Sequence, residues 1–330
     1  MGGSLFELGR LPAKEYLEVE QRLKSYFDAK YGTNAYKIPR FYSNKPDFGD
    51  VDILLSYDAQ KDWSNKEQIV SDLAVTQYKQ AKNILSLAFE NKIQVDISII
   101  PEDMLQTTWQ FLCYNDLGNI LGKIFRRFNL KYGEFGLAYV FRREKDQRYK
   151  KDIILTKSME DILRFLELSH DKWLTGFESL EEMFDWVINS PYFTVVPFVK
   201  LTTNTKKRAK LRTTISKFIT YISENKIEKA YPFDSDRTIY FDKICQFFPE
   251  VPLVQILENE KLIEERENVI KNKFNGRIIM DLFPELKQAA LGKFISCFKD
   301  QFKDFDEEIY NLPADEVVSK IKEFYATYSK

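Results

Sequence analysis

Asp50 and Asp52 stand two residues apart directly after Gly49, and a third aspartate, Asp96, interrupts the apolar run Ile93-Gln94-Val95-Asp96-Ile97-Ser98-Ile99-Ile100. Residues two apart point to the same side of a strand. An ionised carboxylate inside an apolar strand is costly unless it is paired or bound to a metal. If the two strands are neighbours, three carboxylates converge, and oxygen ligands of this kind suit Mg²⁺ or Mn²⁺. Two such ions roughly 3.5–4 Å apart form a clamp for in-line displacement at phosphorus. One would activate an attacking oxygen and the other would hold a triphosphate.

Acid-x-acid spacing by itself decides nothing. It recurs at Glu18/Glu20, Glu144/Asp146, Asp234/Asp236, Glu258/Glu260 and Asp304/Asp306, where solvated faces account for it. Three features set Asp50 and Asp52 apart. The strand pattern sends Val51, Ile53 and Leu55 to the core, the preceding glycine lets a phosphate approach the bare backbone, and Asp96 supplies a third ligand. The competing reading is a pair of strand-edge aspartates making turn hydrogen bonds.

Composition narrows the remaining chemistry. The 330 residues carry 49 basic and 50 acidic side chains, a net charge of −1, so a polyanionic partner would have to meet a local basic patch. The single histidine, His170, argues against Ser-His-Asp and histidine-metal sites. Cys113, Cys245 and Cys297 are odd in number and far apart, and they read as reduced thiols of an intracellular protein. No basic-then-apolar leader opens the chain, and Phe6 breaks the myristoylation pattern. The longest uncharged run, 187–199, contains Pro191 and Pro197 and is too short to span a bilayer. The expectation is a cytoplasmic protein without membrane contact.

The elements that must position the acids follow from periodicity. Helix spacing over Glu15–Lys30 ends at Tyr31-Gly32. Tyr36–Tyr42 and Asp50–Ser56 read as strands around the turn-forming segment 45–49. Ser64 is expected to cap a helix reaching Leu73. Asn83–Phe89 and Ile93–Ile100 form a predicted hairpin across Glu90-Asn91-Lys92. Trp109–Phe128 is helical with a break at 115–119. Leu137–Phe141 and Asp152–Leu155 are short strand candidates, and Ser158 with Asp161 opens a helix. Helices are then expected near 179–189, 206–224, 253–271, 285–299 and 314–327. The fold class expected is α+β, with a domain at 1–157 carrying the acids and an all-α domain at 158–330.

These residues resemble the nucleotidyltransferase superfamily of DNA polymerase beta, poly(A) polymerases and CCA-adding enzymes. Tyr42-Ser43, Gly49-Asp50-Val51-Asp52-Ile53-Leu54 and Val95-Asp96-Ile97-Ser98-Ile99-Ile100-Pro101 follow that superfamily's order of turn, Asp-x-Asp and third Asp, most like polymerase family X. The resemblance, over roughly residues 36–170, implies a polymerase-beta-like palm. It implies two Mg²⁺ or Mn²⁺ ions on Asp50, Asp52 and Asp96, with Asp96 helping to take the proton of the acceptor hydroxyl. Ser43, Lys45 and Gly49 would grip the triphosphate. The stretch Phe111–Asn119 occupies the place of a family segment facing the nucleotide, which implies Asp116 and Asn119 near base or sugar. Glu160–Leu168 is similar to the family's Asp-Ile-Phe helix. Tyr42 departs from the Gly of the family's Gly-Ser turn, the loop to Asp50 is short, and Tyr114-Asn115 replaces an aromatic-Thr-Gly-Ser loop. Only 35 residues precede the palm, too few for a repair polymerase's lyase and fingers. Phe274-Asn275-Gly276-Arg277 and Ala290–Ile295 resemble the tail of CCA-adding enzymes, and equally read as two ordinary helix starts.

Basic clusters complete the picture. Lys123, Arg126 and Arg127 share one helix face and are candidates for the triphosphate (Lys123) or the acceptor backbone (Arg126, Arg127). Lys206, Lys207, Arg208, Lys210 and Arg212 crowd a helix start, where the dipole disfavours cations, which suggests an external reason such as bound phosphates and equally reads as a solvated basic run. The sequence therefore points to transfer of a nucleotide from a nucleoside triphosphate to a nucleic-acid 3′ end, RNA (tRNA-like) ahead of DNA. The alternatives are a family-X-like enzyme using dNTPs and an enzyme modifying a protein or small molecule.

Overall fold

Strand Asp50–Ser56 (β4) lies parallel to strand Ile93–Ile100 (β7) in perfect step, with Asp52 opposite Asp96 and Asp50 opposite Gln94. The computed structural model describes residues 5–58, 62–143, 148–200, 203, 207 and 211–328. Contacts divide it into two compact units, one of residues 1–142 with 148–251, the other of 143–147 with 252–330. The change expected at residue 157 is a change of element type. The first compact unit itself runs on to Val251.

The first unit is built on a mixed five-stranded sheet in the order β2-β4-β7-β6-β5, where β2 is Tyr36–Lys37, β5 Tyr78–Ala81 and β6 Ile84–Phe89. Only the β4–β7 pair is parallel. The predicted β6–β7 hairpin is present, turning through Glu90 and Asn91, both at positive φ. On one face Val51, Ile53, Leu55, Val95 and Ile97 pack under Val19, Leu23 and Phe27 of helix α1 (Ala13–Tyr31) and Ile69 of helix α2 (Lys66–Asp72). On the other face Leu54 and Ile100 are covered by Leu105 of helix α3 (Glu102–Leu112). That helix shields only the C-terminal half of β4, which leaves Asp50 and Asp52 beyond its cover. This is why burial alternates at the start of β4 and becomes continuous at its end.

Several expectations need correction. The strand beginning at Tyr36 ends at Lys37. The chain beyond it bonds to α3 and its C-terminal end instead, with Trp109 Nε1 donating to the Ile38 carbonyl (2.9 Å) and the Tyr114 amide to that of Arg40 (2.6 Å). Ser64 does not cap α2, which starts at Lys66 after Asn65, and the Ser64 amide donates to Asp62 Oδ1. The helical stretch 109–128 divides into α3 and α4 (Leu117–Phe125) across Tyr114 and Asn115, both at φ 60°. A left-handed residue other than glycine costs roughly 1–2 kcal/mol. The buried Tyr114 hydroxyl, which donates to the Trp173 carbonyl at 2.9 Å, helps to hold that corner. At the same corner a Cβ on Gly118 would lie 2.4 Å from the Phe111 carbonyl oxygen and 2.6 Å from its ring. Gly118→Ala should therefore destabilise the protein by ~1–3 kcal/mol, read as a lower midpoint of urea unfolding.

A second, antiparallel sheet runs β10-β9-β8, with β8 Leu130–Gly133, β9 Gly136–Arg142 and β10 Tyr149–Thr156. Helices α5 (Met159–Phe165), α6 (His170–Thr175), α7 (Leu180–Asn189), α8 (Val196–Val199), α9 (Thr213–Glu224) and α10 (Phe241–Phe247) complete this unit. Ser158, Ser169 and Ser179 cap α5, α6 and α7 through their hydroxyls. The second unit holds α11 (Leu253–Lys273), α12 (Gly276–Leu282), α13 (Gln288–Lys299), α14 (Phe305–Asn311) and α15 (Ala314–Tyr328) around Phe274, Ile279, Phe294, Phe298 and Ile321. Its Asn275-Gly276 is a helix start, since Asn275 Oδ1 accepts from the amides of Arg277 and Ile278. The architecture is thus α+β followed by helices, and no helix among the described residues is long and apolar enough to cross a membrane.

Candidate metal-binding cleft

Carboxylate oxygens of Asp50, Asp52 and Asp96 all lie within 4.8 Å of one another. The backbone register brings this about, because directly opposed residues of a parallel pair project to the same face. Asp96 Oδ2 accepts from Gln94 Nε2 (2.7 Å), and Gln94 Oε1 in turn accepts from the Leu5 amide (3.0 Å). Asp96 Oδ1 is buried and receives no hydrogen bond. An acceptor oxygen left in that condition beside two more carboxylates is what a divalent cation would satisfy, so the donor set fits such an ion.

Asp50 and Asp52 line a cleft of ≈ 990 Å³ whose walls also include Arg10, Lys45, Asp47, Asp116, Arg212 and Lys217. Asp52 keeps much of its surface open to this cleft, yet its carboxyl lies deep among protein atoms. Burial first, then Asp50, then Asp96 push its pKa up to about 7. Asp50 is raised as well, by burial and then by Asp96. Lys45, 4.1 Å from the centre of the Phe48 ring, is pulled below the usual lysine range by burial, against the opposing attraction of Asp50 and Asp52. Three like charges held together without a counterion store repulsion that a cation relieves.

The loop before β4 is anchored from several directions. Strand β3 (Asp47–Phe48) pairs with β1 (Leu11–Pro12), Arg10 makes an ion pair with Asp47 (2.6 Å), and Tyr16 stacks on Phe48. Ser43 is less available than its place in sequence suggests. Its amide (2.9 Å) and hydroxyl (3.3 Å) both donate to the Phe177 carbonyl, and it does not line the cleft. Gly49 is buried between β3 and β4.

The remaining sequence candidates separate into groups. Asp116 lines the cleft, ion-paired with Arg212 (2.6 Å), and Asn119 donates to the same Asp116 oxygen (3.3 Å). Lys123 points elsewhere, donating to the Pro197 carbonyl (3.3 Å) above the Phe198 ring. Arg126 lines a separate recess, and Arg127 lies over the Phe233 ring. Lys207 is exposed, while Lys206, Arg208 and Lys210 lie outside the described residues. Sequence reasoning missed Arg10 and Lys217 and did not connect Arg212 with the acids. The available signal was α9, whose Ile215, Phe218 and Ile222 are buried while Thr213 and Lys217, one turn apart, line the cleft.

No protein-family model matches this chain, and no curated protein matches it in sequence. Among solved structures it is similar to Leishmania infantum polymerase beta in a ternary P/T complex. That match has a TM-score of 0.38 and 16% identity, covering 49% of this chain and 74% of that one. A likeness at this level does not define a shared fold.

Proposed function

We propose that the protein is a metal-dependent nucleotidyltransferase, moving a nucleotide from a nucleoside triphosphate to the 3′ hydroxyl of a nucleic acid. One observation carries this reading: three carboxylates, one with an unsatisfied buried oxygen, converge at a cleft whose walls carry cations. Two divalent ions bound there would neutralise the triphosphate and make the acceptor hydroxyl a stronger nucleophile. Asp50 and Asp52 would hold them from one strand, and Asp96 would complete the ligand set and help to take the proton of the acceptor hydroxyl. Lys45 and Lys217 then face the phosphates, and no carboxylate among the described residues is ion-paired with Lys217. Asp116 and Asn119 would meet the sugar or base, with Arg212 ion-paired to Asp116. The acceptor oxygen bonds to the α-phosphorus as pyrophosphate leaves.

The preference for RNA rests on the sequence likeness at Phe274–Arg277 and Ala290–Ile295, the first of which forms a capped helix start. The test is incubation with Mg²⁺ or Mn²⁺, each labelled NTP and dNTP, and a panel of trimmed tRNA, other RNA, DNA primers and protein. Label should appear on a nucleic-acid 3′ end. Label on protein alone, or none beyond that given by Asp52→Asn, would sink the proposal.

A further inference from the structure

Away from the acidic cleft, the end of α4 and the three-stranded sheet enclose a recess of ≈ 200 Å³ lined by Arg126, Asn129, Lys131, Arg142, Tyr149 and Arg237 among others. Arg237 comes from a 3-10 turn nearly a hundred residues further along the chain than Lys131–Arg142, so tertiary structure, not a local charge run, gathers the guanidiniums. The one described carboxylate of the lining, Asp152, is already engaged by Lys131. Neither Arg126 nor Arg237 is ion-paired with a carboxylate among the described residues. Burial and the charges of Arg127, Arg142 and Arg126 hold Arg237 below the usual arginine range. Arg127 adds its charge from over the Phe233 ring, with its Nε buried and without a hydrogen-bond partner. Guanidiniums so gathered repel one another unless an anion lies between them, and their planar forks suit phosphate oxygens. Tyr149, 54% exposed on β10, presents an aromatic ring at the same recess.

We propose that this recess holds one nucleotide of a single-stranded nucleic acid, with the phosphate between Arg126 and Arg237 and the base stacked on Tyr149. The proposal deepens the reading above, on which it rests for the identity of the strand as acceptor. It places a strand contact on the sheet β8–β10, separate from the carboxylates. A phosphate between two arginines gives affinity that falls with salt, whereas a stacked base gives affinity that does not.

The test uses the full chain and a fluorescent single-stranded oligonucleotide, RNA and DNA in turn, titrated over a series of salt concentrations. Triphosphate and divalent cation are left out, so binding is read without transfer. Arg126→Gln with Arg237→Gln should weaken binding about tenfold or more and reduce the salt slope by about 1. Tyr149→Ala should weaken it about tenfold and leave the slope as it was. Equal binding and an equal slope in the double arginine variant, with its thermal midpoint preserved, would overturn the proposal. So would binding of inorganic phosphate that competes at the recess while the oligonucleotide does not. A protein that binds as expected but transfers nothing overturns the reading of the acidic cleft and leaves the recess standing.

Discussion

Asp52→Asn should lower nucleotide transfer by ~10³-fold or more, because charge stabilisation by a bound metal is worth several kcal/mol and each ~1.4 kcal/mol is tenfold. The same substitution should raise the thermal midpoint of the metal-free protein at about pH 8 by a few degrees. The reason is that Asp52 is ionised there only against burial and against Asp50 and Asp96. Asparagine keeps the shape and removes that repulsion. At about pH 3, below the unfolded value of 3.8, both states of the parent hold the proton, so the two midpoints should coincide. Labelled-nucleotide incorporation and thermal melts at both pH values check this. A variant that melts lower than its parent at both would mean that the carboxylate supports the fold, not a ligand.

Divalent cation should stabilise the protein strongly above neutrality and weakly in acid. The folded-state pKa of Asp52, about 7, is raised above the value of 3.8 for a free side chain. Between those values the folded metal-free chain binds more protons than the unfolded chain, so this group's contribution to stability falls as pH rises through the window. A cation binds the ionised form and therefore competes with that proton. Its stabilisation is then fully present above about pH 7 and shrinks as the pH drops toward 4. At a hundredfold excess over Kd the linkage amounts to ~2.7 kcal/mol, a shift on the order of 5 °C. Calorimetric titration of Mn²⁺ in two buffers of different ionisation enthalpy should show protons released on binding. A midpoint shift of equal size at all pH values would show that the cation binds elsewhere.

The acids and the strands bearing them were legible because both signals are local. Alternation at Val51, Ile53 and Leu55 is a period of two, and Asp96 stands out against seven neighbours that are otherwise apolar or uncharged. Their adjacency was an expectation, and the register Asp52↔Asp96 meets it. The strand extended too far at Tyr36–Tyr42 because sequence cannot reveal that Trp109 and Tyr114 take the carbonyls of Ile38 and Arg40. Strand β8 goes unread because Leu130–Gly133 is only four residues long and follows the helix directly after the left-handed Asn129. The cationic wall was illegible for a simpler reason. Arg10 and Lys217 are some 200 residues apart, and only the packed chain puts them across one cleft. Lys123 shows the converse, where helical proximity to Arg126 is real but the side chain turns to Pro197.

The in-step pairing of β4 and β7 also protects the sheet against error. Sliding β7 by one residue would send Asp96 toward the aliphatic layer under α1 and bring Ile97 or Val95 out to the cleft. An ionised group among Val19, Leu23 and Phe27 would find no partner there. The aspartate that offers a ligand thus also penalises every odd-numbered misalignment, so this charged intruder in an apolar strand doubles as its alignment mark.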